Sequence, residues 1–152
     1  MKKILILTFF LASIFITMAA VAQKGAGDAT GISKQGLNPE LVELKGVVQS
    51  IKSGPCENTK GKSTLGTHMM VETSGEVLNI HLGPTTEVAD FVANAEGEEV
   101  VVTAFQTDKL PSDHYIAKEF ILRGKTYELR DDNLKPEWAG KRKKKRKAAS
   151  RN

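Results

Sequence analysis

The stretch from His68 to Pro84, HMMVETSGEVLNIHLGP, constrains the fold more than any other, because apolar and polar residues alternate on both sides of Ser74-Gly75. Met69, Val71, Leu78, Ile80 and Leu82 fall on one side of two predicted strands, and His68, Met70, Glu72, Val77, Asn79 and His81 on the other. A two-residue loop at Ser74-Gly75 sets Thr73 against Glu76, Val71 against Leu78, Met69 against Ile80 and His68 against His81. A slip of one residue would turn the whole apolar set out to water, so the register is strongly specified. Directly opposed side chains have Cβ atoms about 4.5–5.5 Å apart, close enough for two imidazoles to share a ligand.

His68 and His81 are therefore the first candidate metal ligands. Two imidazoles fall short of the three or four donors that transition-metal sites gather. Met70, beside His68 on the same face, and Cys56, in the glycine-rich loop upstream, are the further candidates. Imidazole, thioether and thiolate together suit copper or zinc better than calcium or magnesium. The competing reading is two solvated histidines and a methionine in ordinary packing. His114, at the mouth of a second hairpin, reads as a loop residue rather than a third ligand.

The chain opens with the three parts of a secretory signal over residues 1–22: Lys2-Lys3, an apolar run from Ile4 to Met18, and Ala20-Val21-Ala22. Cleavage before Gln23 is expected, with a periplasmic or extracellular destination. The apolar run is short for a membrane span, and no cysteine follows it to carry a lipid. Residues 23–39 are glycine-rich and aperiodic and read as a flexible leader. Cys56 is the sole cysteine, so an internal disulfide is excluded and the core must hold residues 40–140 together.

Charge is divided along the chain. Residues 23–140 carry 12 basic and all 18 acidic side chains, about six more negative than positive charges, whereas residues 141–152 carry eight basic ones and no acid. The sequence pI near 9.2 thus belongs to the tail, and sequence-specific nucleic-acid binding by the body is not expected. The run Lys141, Arg142, Lys143, Lys144, Lys145, Arg146 and Lys147 cannot bury a core and is expected to be disordered. It suits an anionic membrane surface, a polyanion or an acidic protein, and equally a tail that is merely solvated.

Outside the first hairpin, Leu41 to Ile51 alternates as a strand with Leu41, Val47 and Ile51 predicted inward, and Gly46 marks a bulge or close approach. Thr85-Thr86 are expected to cap a short helix carrying Val88, Phe91 and Val92. Glu99 to Phe105 reads as a strand, and Tyr115–Leu122 with Thr126–Arg130 as a second hairpin across Arg123-Gly124-Lys125. Strand, hairpin, short helix, strand and hairpin point to a mainly β domain, a small five-stranded OB-like barrel or roll. Gly61-Lys62-Ser63 lacks the first glycine and the leading strand of a phosphate loop. No nucleophile, base and orienting acid can be named at one site, and Cys56 with His68 pairs only if the loop folds onto the hairpin. A binding or adaptor domain is expected rather than an enzyme, with a purely structural domain as the alternative.

The glycine-proline-cysteine of the approach loop, His68-x-x-Val-x-Thr-x-Gly, HLGP at 81–84, VVVTAF and YELRDDNLKPEW resemble the small exported domain of MamS/MamX-type magnetosome proteins over about residues 40–140. That resemblance implies an OB-like domain in the periplasm or at a membrane, with no catalytic activity to carry over. The haem-attachment motif of some such proteins, C-x-x-C-H, is absent. In the ending, Asp132-Asn133 favours a turn, Pro136 stiffens the exit, and Trp138 is expected to cover the open end of the core as a structural clasp.

Overall fold

The computed structural model describes residues 36–55, 63–108 and 110–139. The alternation around Ser74-Gly75 builds β2 (Leu65–Thr73) and β3 (Glu76–Pro84), paired in the expected register from Thr73↔Glu76 to His68↔His81. Met69, Val71, Leu78, Ile80 and Leu82 are all buried, so the face assignment holds residue by residue. Before the hairpin runs β1 (Leu41–Pro55); after it come α1 (Thr85–Val88) and a 3-10 turn (Ala89–Val92). The chain then forms β4 (Glu99–Phe105), β5 (His114–Leu122) and β6 (Lys125–Glu128).

The five-stranded OB-like barrel is corrected here: the six strands form one mainly antiparallel sheet in the order β3-β2-β1-β4-β5-β6. The sheet curls far enough for β3 to pair in parallel with β5, but over three residue pairs only, Asn79↔His114 to His81↔Ile116. The reason lies on β5. One edge pairs with β4 from Ile116 to Leu122, and on the other edge β6 already takes Glu119 to Leu122.

Local expectations in β1 also needed correction. Leu41 and Val47 are exposed, whereas Val48 is fully buried and Ile51 packs half-buried against the core. A register shift between Val48 and Ser50 adds a residue to the strand, so the inward positions are even up to Val48 and the next apolar residue to reach the core is Ile51, three residues on. Gly46 is the close approach: a Cβ there would overlap the backbone of Glu72 and the side chain of Val71. At α1 the N-cap is Pro84, with no side-chain cap, rather than Thr85 or Thr86. The second hairpin turns on Arg123-Gly124 alone, both at positive φ (53° and 73°), the conformation that a two-residue hairpin loop of the tightest kind requires.

The main core joins both sheet halves through Val48, Met69, Ile80, Val102 and Phe120, and Val88 and Val92 plug it from the helical turn. Phe105, Ile116 and Leu134 form a second, smaller cluster. After β6 the chain folds into a hook: Arg130 and Pro136 form a bridge, and the Asp131 carboxylate accepts bonds from the backbone N–H groups of Asn133 and Lys135, each 2.9 Å. Trp138 returns to the main core, as expected of a clasp. Among the described residues no helix is long and apolar enough to cross a membrane.

Candidate functional site

The outer face of the β2–β3 hairpin, the face that alternation leaves opposite the core, carries the site. His68 and His81 stand directly across from one another, their ring centroids 4.9 Å apart with planes tilted by 56°. Both are half-buried. Met70 lies two residues along β2 on the same face and pairs with Asn79, so the hairpin brings together three of the four candidate ligands. Cys56 lies outside the described residues, as does the basic run from Lys141 to Lys147.

Sequence reasoning missed what Asn79 and His114 do. His114 is the first residue of β5 rather than part of a loop, and the short parallel pairing sets it opposite Asn79. The Asn79 N–H donates to the Asp113 carbonyl at 2.8 Å, which ties this corner to the hairpin through the backbone. Gln106 fixes the far side by donating its amide to the carbonyls of Ser112 (2.7 Å) and His114 (3.1 Å). The side chains then form a continuous chain. His68 Nδ1 lies 2.9 Å from Asn79 Oδ1, Asn79 Nδ2 lies 2.9 Å from His114 Nε2, and His114 Nδ1 lies 2.8 Å from Asp113 Oδ1. The protein has three histidines, and all three belong to this one cluster.

The imidazole of His114 beside Asp113 holds that carboxyl below its ordinary value, chiefly by hydrogen bonding. Both ring nitrogens of His114 are thereby engaged, which makes it a support for His68 rather than a further ligand. Among the described residues no group of three or more histidine, cysteine, aspartate or glutamate side chains is placed to hold a metal ion. The arrangement on this face offers a pair of imidazoles, a nearby thioether, and an orienting amide behind one of the rings. A signal for Asn79 was present in the sequence, since its place on the polar face between the histidines follows from alternation. None existed for His114, because its partner lies 35 residues away in a strand pairing that has no local mark.

A second cluster closes the seam next to this site. Arg130, only 2% exposed, donates from Nη1 to the carbonyls of Leu82 (3.3 Å) and Ala117, which are on β3 and β5 just beyond the end of their mutual pairing. Its guanidinium lies 5.4 Å from the Trp138 ring centroid, and Trp138 in turn fills the space over Gly83. Burial pushes Arg130 down to about 9, which leaves it charged at neutral pH.

Compared with known proteins, the chain matches no family model, no curated protein and no solved structure. The MamS/MamX-type label, which rested on resemblance alone, finds no support in these comparisons, and the functional reading stands on the site itself.

Proposed function

We propose that this chain is an exported binding module whose ligand is a late transition-metal dication, copper or zinc, held by His68 and His81. The observation that carries the reading is the cross-strand imidazole pair at 4.9 Å with a hydrogen-bonded amide behind His68. Metal-bound histidines characteristically donate their second ring N–H to a carbonyl or carboxylate, and Asn79 Oδ1 stands where such an acceptor is needed. Met70 is the further donor that the hairpin supplies, and solvent or a partner protein completes the set. The leader at 1–22 sends the domain out of the cytoplasm, and the basic run at 141–147 holds it at an anionic surface.

Titration of the metal-free protein with Cu(II) or Zn(II) tests the site. The wild type is expected to bind at least about tenfold more tightly than His81→Ala, about 1.4 kcal/mol. Equal binding by the two proteins would reject the site and leave a structural or interaction domain as the reading of this face.

A further inference from the structure

The chain of side chains behind His68 has a direction, and its acidic end sets that direction. An ionised carboxylate only accepts hydrogen bonds, so at 2.8 Å from Asp113 Oδ1 the His114 Nδ1 carries the proton. A neutral His114 then has its lone pair on Nε2 and accepts from the Asn79 Nδ2 amide at 2.9 Å. The Asn79 amide, with its nitrogen turned to His114, presents Oδ1 to His68, whose Nδ1 must donate. The opposite polarity, with a neutral His114, would set the Nδ1 lone pair against the carboxylate, acceptor against acceptor.

We infer that Asp113, His114 and Asn79 are positioning residues that hold His68 as the Nδ1–H tautomer, so that Nε2 is the nitrogen offered to a dication. The inference rests on the metal-binding reading above and names what prepares that site. Its physical content is preorganisation: an imidazole already in the required tautomer and orientation spends less of the binding free energy on rearrangement. The supports are anchored independently of any ion. Asn79 is held by its own N–H to the Asp113 carbonyl, and the strand that brings His114 is pinned by Gln106. The relay joins two hairpins across the β3–β5 seam, so the site is a product of the curled sheet and not of one hairpin alone.

Imidazole nitrogen NMR on the full chain, metal-free at about pH 8, reads the tautomer directly, and zinc titration of the same samples reads the consequence. The wild type is expected to show His68 with its proton on Nδ1. Asp113→Asn keeps the exposed site and the backbone but lets the relay run either way, since an amide can donate as well as accept. It is expected to shift His68 toward the Nε2–H form and to weaken zinc binding roughly tenfold, the lower end for loss of an outer support. Asn79→Leu, which cuts the relay, is expected to weaken zinc binding at least as much. A wild-type His68 protonated on Nε2 overturns the inference, as does an Asp113→Asn protein with both tautomer and zinc affinity unchanged. If the tautomer behaves as expected while even the wild type takes no zinc, the relay keeps its direction, but the metal reading and the role drawn from it both fall.

Discussion

Arg130 shows how one residue can reverse its ordinary environment. A guanidinium is among the groups least often buried, yet here it fills the gap where β3 and β5 part, donating to the Leu82 and Ala117 carbonyls. The face of Trp138 supplies a further favourable contact for the cation. Its Nε has no hydrogen-bond partner among the described residues, so the site is not fully compensated. Arg130→Ala strands both carbonyls and leaves a void, and is expected to lower stability by about 3 kcal/mol in urea unfolding. Gly83 is the companion position: a Cβ there would overlap the Trp138 ring. Gly83→Ala is accordingly expected to cost about 2 kcal/mol. The cost should shrink in a Trp138→Ala background, because the overlap is then gone; an undiminished cost in the double mutant would rule out this clash.

Among the elements, β6 is a strand of four residues at the end of the strand order, and its other edge pairs with no strand among the described residues. Its anchor is Tyr127, which stacks on Phe120 at 4.9 Å and on Phe91 at 5.1 Å, with Lys125 over the same ring at 4.8 Å. This stack explains how Phe91 stays partly exposed on the helical turn and still contributes: it covers Tyr127 rather than entering the core. Tyr127→Ala should cost about 2 kcal/mol, from lost area and two ring contacts in a half-buried position. Amide exchange should locate the damage. Protection is expected to fall across Lys125–Glu128 before it falls in β4, which lies between two strands. Uniform loss across the sheet would mean that Tyr127 supports the whole core instead.

Over the whole molecule, the separation of an acidic body from a basic terminus is the largest electrostatic feature of the sequence. Each lysine or arginine beside an anionic membrane is worth about 1 kcal/mol, so the surface retention proposed above predicts binding carried by the seven charges from Lys141 to Lys147 without a pocket. A truncation ending at Gly140 is expected to melt as the full chain does and to lose its binding to anionic vesicles. Binding by the full chain should fade as the Debye length contracts from about 10 Å at 0.1 M salt to about 3 Å at 1 M. Binding that survives molar salt, or the truncation, would assign the partner surface to the folded body. The export proposed above predicts that mass measurement on protein recovered outside the cytoplasm gives a chain beginning at Gln23, and a retained Met1 would reject it.

Much of the architecture was legible in the sequence wherever its cause is local. Alternation around Ser74-Gly75 determined the hairpin, its register and the placing of His68 opposite His81, because a two-residue loop and one apolar face leave no second solution. The tertiary structure alone decided the rest. The extra residue between Val48 and Ser50 reversed the inward face of β1, an event that depends on how the strand bends between two partners. The β3–β5 seam is set by what else competes for the edge of β5, and no window of sequence records that competition. Arg130 reads as a surface cation until the carbonyls of two distant strands are brought to it. His114 reads as a loop residue until the same seam sets Asn79 beside it. Periodicity reports which face of an element avoids water; it carries no information about which polar groups meet once those faces have been buried.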